Sequence, residues 1–251
     1  MKTRRRAKQT QRGNPHQLTL QQHVFPRGSI ARFTNQKNLV EVSFRGSPVP
    51  LKLRPDNPIF CANRVWDQRA EEGYMREIEI QFQILTEKVV HSNYTLAKSD
   101  HIIISRFRAL WSLRGRMRKN PPSDQKLNGI IEARDFSLDE QEVLEKNHTI
   151  YFQDGSSVPG HMMAGLHIQV AIDRETLNPS TWGIVDSPNR NLIVPDTIGM
   201  LGYVPIAPHM AFLASTEGGT LSREDALGVN KTAIGASTEY FFTKNLACAL
   251  G

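Results

Sequence analysis

The stretch Glu77–Val90, EIEIQFQILTEKVV, carries apolar residues at Ile78, Phe82, Leu85 and Val89, and Met75 lies one step before them. Steps of three and four residues put these side chains on one face of a 3.6-residue turn, so the spacing predicts a helix from Trp66 to about Val90 with that face against a core. On either side the period changes. Upstream, Val40, Val42 and Phe44 alternate in NLVEVSF, and RGSP supplies a turn before VPLKL, which reads as a β-hairpin. Downstream, a second helix is expected from Ser99 to Met117 with Ile103, Phe107, Leu110 and Trp111 inward and arginines distributed around it.

The two prolines of KNPPSDQKLNG, residues 119–129, then break the chain and mark an internal linker. Ser137 with Glu140 has the capping-box form and opens a short helix through Glu145. Met162–Arg174 reads as helix, although LHIQVAI within it alternates as a strand would. The segment TWGIVDSPNRNLIVPDTIGMLGYVPIAPHMAFLAS, residues 181–215, has short apolar runs between turn residues and predicts three strands. Ser222 with Asp225 caps a last helix, expected to reach about Lys244 and to carry Tyr240 and Phe241. The fold class is therefore α+β: an N-terminal hairpin, a central helical layer, and C-terminal antiparallel strands with a closing helix. Residues 18–251 are expected to form one domain behind a disordered basic arm, residues 1–17.

Composition limits the function classes. With 39% hydrophobic and 22% charged residues the chain reads as globular, and no apolar run is long enough for a membrane helix. Cys61 and Cys248 stand far apart without a partner motif, which suits a reducing cytoplasm and gives no zinc framework. Lys+Arg 31 against Asp+Glu 25 leaves a net charge of +6. The excess is clustered: Arg4, Arg5, Arg6, Lys8 and Arg12 in the arm, and Arg106, Arg108, Arg114, Arg116, Arg118 and Lys119 on the second helix. Such clusters neutralise phosphates and point to RNA or DNA as a partner, with Arg4, Arg5, Arg6, Arg106, Arg116 and Arg118 as the contacts. The plainer reading is a solubilising tail and a solvated helix face.

Several motifs, in order, resemble the family labelled domain of unknown function 4238. QQHVFPRGSIARF, residues 21–33, is similar to that family's opening His-x-x-Pro and short helix. EIEIQFQILTEKV places Ile78 and Glu79 on its Ile-Glu pair, and in HIIISRFRALWSLRGR Phe107 precedes Arg114 by seven residues, as in the family's next helix. The family continues Arg-Thr-Pro where this chain has Arg114-Gly115-Arg116. Asp196 lies at the family's Asp with Pro195 in place of Ser, Pro205 and Pro208 fit a later strand motif, and Asn230 falls on the Asn of the closing helix. The likeness spans Leu18–Asn245 and brings no established activity with it.

Chemistry is weighed from the residue types at those positions. His23 is of the kind that serves as general base near neutral pH, Glu79 and Asp196 are of the kind that hold a divalent metal or orient that base, and Arg114 binds phosphate bidentately. Together they suit phosphodiester cleavage, so a cytoplasmic nucleic-acid hydrolase, of the toxin or defence-effector kind, is one expectation. Against it stand a helix-start role for His23, a Glu79–Arg114 ion pair between adjacent helices, and a turn role for Asp196. In that case the chain is a nucleic-acid-associated binding module. His161 and His167, six apart, lack the spacing that puts two ligands on one helix face.

Overall fold

The computed structural model describes residues 8–47, 49–129 and 134–251. From the N-terminus, β1 (Gln21–His23) leads into α1 (Arg27–Ala31), and β2 (Val40–Phe44) pairs with β3 (Leu51–Leu53). β4 (Cys61–Asn63) returns to pair with β1. A kinked helical stretch follows as α2 (Gln68–Ala70), a segment Glu71–Met75 in which Gly73 leaves helical geometry, and α3 (Arg76–His91). α4 (Lys98–Lys119) packs back against it. β5 (Gln125–Lys126), α5 (Leu138–Lys146), β6 (Ser157–Val158) and α6 (Gly160–Glu175) complete the middle of the chain. The last part contains β7 (Trp182–Asp186), β8 (Val194–Pro195), β9 (Tyr203–Ala207), β10 (Met210–Ala214), β11 (Gly218–Thr220), α7 (Arg223–Ala236), β12 (Tyr240–Thr243) and α8 (Leu246–Leu250).

Two four-stranded sheets flank the helices, ordered β3-β2-β12-β8 and β11-β7-β10-β9. All pairings in them are antiparallel except β11 against β7. The architecture is α+β. The inward face expected of the first long helix is observed, since Met75, Ile78, Phe82, Leu85 and Val89 are all buried. Phe82 stacks on Phe107 at 3.5 Å between ring centroids, and Phe212 of β10 meets Phe82 edge-on at 6.2 Å, which ties α3, α4 and the second sheet into one apolar centre. The first sheet joins it through Phe242, packed against Phe25, Phe33 and Phe60.

Three sequence expectations are corrected. Residues 8–17 of the arm expected to be disordered are laid against α5, where Gln11 and His16 bond its acidic side chains. The segment 181–215 holds four strands rather than three, because the run around Val194 forms a short strand of its own. The last long helix stops at Ala236 rather than Lys244. Tyr240–Thr243 is extended and pairs Phe242 with Val42, since the aromatic run fits a pleated buried surface and gains a ladder on both sides. The chain's two ends thereby share a sheet. The Ser137–Glu140 capping box is present at the start of α5.

Candidate functional site

Arg114 follows Leu110 and Trp111 by four and three residues on α4, so its side chain shares their inward face and is only 2% exposed. Its Nη1 donates to Glu79 Oε1, its Nη2 lies 3.5 Å from Glu71 Oε2, and the centre of the Trp66 ring sits 5.2 Å from its guanidinium carbon. Trp66 Nε1 donates in turn to Glu71 Oε2 at 2.5 Å. Glu71, Met75 and Glu79 are spaced by four, and steps of four drift around a 3.6-residue helix. The chain kinks between them, since Gly73 has non-helical backbone angles (φ −93°, ψ −118°), and across that kink Glu71 still reaches the arginine that Glu79 bonds; Met75 Sδ is 3.5 Å from Nη2. Burial works against the charge on Arg114, but the carboxylates of Glu79 and then Glu71 outweigh it and raise its pKa. The guanidinium is fixed in its charged form with two acids around it.

Gly115 comes next in the chain, and a Cβ there would stand 2.9 Å from Thr197 Oγ1. The absence of a side chain lets the Asp196–Thr197 segment approach α4. The Asp196 side chain itself turns to the α7–β12 junction, where Oδ1 accepts from Thr238 N at 2.7 Å and Oδ2 from Thr238 Oγ1 and Glu239 N at 2.7 and 2.9 Å. Its own N–H donates to Tyr240 O at 3.0 Å. Asp196 is a buried lock on this turn.

His23 stands directly across from Cys61 in the β1–β4 pair. Val24 N donates to Phe60 O on one side and Arg64 N to Leu20 O on the other, so the His23–Cys61 pair is a non-hydrogen-bonded one, in which side chains stand close on one face. His23 Nε2 is 3.1 Å from Pro55 O. A carbonyl only accepts, so Nε2 donates this bond, and Nδ1 makes no hydrogen bond among the described residues. Burial pushes the Cys61 thiol up to about 11, with Arg118 opposing the rise and Glu71 adding to it, so it stays protonated near neutral pH and is no nucleophile.

Of the four expected catalytic residues, Glu79 and Arg114 meet in direct contact, while His23 and Asp196 bond to other parts of the chain. Among the expected phosphate contacts, Arg118 pairs with Glu239 at 2.8 Å and lies over the Tyr240 ring. The side chains of exposed Arg116 and half-buried Arg106 make no hydrogen bond or ion pair among the described residues. Arg4, Arg5 and Arg6 lie outside the described residues.

A second polar cluster was not anticipated. Glu145, 2% exposed, accepts from Arg64 Nη2 and from His161 Nε2 at 2.9 Å, and Gln68 N reaches its other oxygen at 3.3 Å. Burial opposes its ionisation, but the His161 hydrogen bond and the His161 and Arg64 charges together hold its carboxyl below the usual range. Asp67 is buried beside it, and α6 comes so close that a Cβ on Gly165 would lie 2.0 Å from Asp67 Oδ1. That oxygen has no hydrogen-bond partner among the described residues, and burial raises the Asp67 pKa, with Arg69 and His161 opposing and Glu145 adding. The sequence held one sign of this cluster: α5, LDEQEVLEK, buries Glu142 and Glu145 while Leu138 and Val143 face solvent at 42% and 38% exposure.

Among the described residues no group of three or more His, Cys, Asp or Glu is placed to hold a metal ion, and no helix is long and apolar enough to cross a membrane. Compared with protein-family models, curated proteins and solved structures, the chain matches none.

Proposed function

We propose that this chain is a non-enzymatic, nucleic-acid-associated module that holds phosphates through cations on its surface. The observation that carries the reading is the division of labour along α4. Arg114 is buried between two carboxylates and Arg118 is paired with Glu239, whereas exposed Arg116 and Lys119 have no acid partner among the described residues. Arg116 and Lys119 also sit in the helix's last turn, where cations complement its dipole. Arg106 adds a cation without an acid partner among the described residues, and the net charge of +6 favours a polyanion. Half of the expected catalytic set, Arg114 and Asp196, is committed to internal bonds, which supports a structural role for both. The resemblance to the domain of unknown function 4238 family belongs to the same proposal: its matched positions Arg114, Asp196 and Asn230 hold the fold here, Asn230 by bonds to Ile193 N, Asn191 O and Ala249 O.

The test is binding of single-stranded RNA and DNA across a salt series. Wild type should lose affinity steeply as salt rises, and Arg116→Ala with Lys119→Ala should flatten the log–log slope by about 0.7 for each phosphate no longer neutralised. No binding at low salt would sink the reading.

A second reading, phosphodiester hydrolysis, keeps one specific support. His23 holds its ring by Nε2 and leaves Nδ1 as a base, and Glu79, 26% exposed, bonds Arg114 through Oε1, with no bond at Oε2 among the described residues. Cleavage of RNA and DNA with and without divalent metal, compared with His23→Ala, decides it. Equal rates in both proteins, or none in either, remove it.

A further inference from the structure

Helix α5 buries two acids, Glu142 and Glu145, while Leu138 and Val143 face solvent and Leu144 packs on the core, and the N-terminal segment lies against it. Glu142 is 1% exposed, and every hydrogen bond it receives among the described residues comes from Gln11: backbone N to Oε1 at 2.6 Å and Nε2 to Oε2 at 3.1 Å. Gln11 Nε2 also reaches Asp139 at 3.0 Å, and His16 Nε2 lies 2.8 Å from the same carboxylate. Lys8 Nζ bonds Gln153 and Gln141 at 2.9 and 3.3 Å, while the Lys8 and Gln9 carbonyls accept from buried Arg64 Nη1. Residues 8–17 include no buried side chain, so polar bonds alone hold them. Burial and the Arg64 charge lower the Lys8 pKa, against the attraction of Asp124, Glu145 and Asp154. The carboxylates that the segment itself bonds are Asp139 and Glu142.

We propose that residues 8–17 are a releasable strap laid on the acids Asp139 and Glu142 of α5, so that strap docking and phosphate binding through Lys8 exclude one another. Three physical points support this. A segment without buried apolar area opens at low cost relative to the core. Release returns Glu142 and Lys8 to water, and the recovered hydration offsets the broken bonds. The ammonium of Lys8 cannot serve Gln141, Gln153 and a phosphate at once. The sequence continues the basic character just before the strap, at Arg4, Arg5 and Arg6. The polyanion half of the inference rests on the binding reading above; release of the strap does not.

The experiment uses the full chain, with a single-stranded oligodeoxynucleotide as the probe and amide hydrogen exchange as one readout. The Gln11 amide should exchange at least a hundredfold faster than the α4 core amides, and faster still when the oligonucleotide is added. Gln11→Ala, which removes the Nε2 bonds to Asp139 and Glu142 without changing charge, should speed exchange of the residue-11 amide further and tighten oligonucleotide binding about three- to tenfold at low salt; His16→Gln gives a weaker form of the same change. Gln11 exchange only as slow as global unfolding would overturn the strap. Fast exchange with binding unchanged in both variants would overturn the mutual exclusion. If neither wild type nor variant binds, the binding reading and the competition fall together, and Gln11 exchange alone still decides whether the strap opens.

Discussion

Arg114 and Arg64 are both buried guanidiniums, yet they are held differently. Arg114 is gripped by Glu79 of α3 and by Glu71 from across the kink at Gly73, and is backed by Trp66. Arg64 shares its bonds between Glu145 and two main-chain carbonyls of a peripheral strap, and its own backbone lies at φ +45°, an uncommon region for a residue with a side chain. In the first case the Glu79 contact joins α3 to α4, so it cannot part without separating two long helices. In the second, part of the coordination departs whenever residues 8–17 lift. Charge burial at the centre is permanent, and charge burial at the edge is conditional.

The comparison breaks most visibly at Arg114. Arg114→Met leaves Glu71 and Glu79 facing each other without the cation, and should cost about 3–5 kcal/mol by urea unfolding. Adding Glu71→Gln and Glu79→Gln should recover most of that loss; no recovery would mean that the guanidinium matters for its packing on Trp66 rather than for its charge. Arg64→Met should cost less, about 2 kcal/mol, because Glu145 keeps its bonds to His161 and Gln68. A loss as large as that of Arg114→Met would erase the distinction between centre and edge.

Acid sharpens the contrast further. The depressed carboxyl of Glu145 contributes stability that is present above the usual Glu range and is lost as pH falls through its lower folded value. The Asp67 carboxyl is raised, so its contribution has the opposite sign: stability is fully present below the unfolded pKa and is lost as pH rises through the folded one. Glu145→Gln should therefore flatten the fall in urea midpoint between neutral and acid pH, and Asp67→Asn should raise stability on the neutral side by about 1 kcal/mol with little change in strong acid. The smallest expected effect is at Asp139. Asp139→Ala should leave the thermal midpoint of the core unmoved while the Gln11 amide exchanges faster; a shifted midpoint would make the strap part of the cooperative fold.

The elements that were legible were those written in local spacing. The inward face of α3, the hairpin of β2 and β3, and the Ser137–Glu140 box depend on residues one to four apart, or on strands joined by a short turn, where backbone geometry alone fixes who faces whom. The last helix was overextended because Tyr240 and Phe241 continue an apolar period, and only the ladder to Phe44 and Ser43, nearly two hundred residues earlier, makes that run a strand. The Glu79–Arg114 ion pair was among the readings open from residue type, but the second acid, Glu71, was not, because its place depends on the kink at Gly73, which no motif announces.

The sequence by itself determined the α+β class, most of the elements and their caps, and the concentration of positive charge, since period, propensity and composition act over short range. Only the tertiary structure decided which charges are paired inside and which face water. Arg114 and Arg116 are near neighbours on one helix with the same chemistry, yet one is enclosed by acids and the other faces solvent. Gln11 meets Glu142 across 131 residues of chain. A charged side chain's role is set by the partners and the water around it, and those are assembled only when distant segments pack.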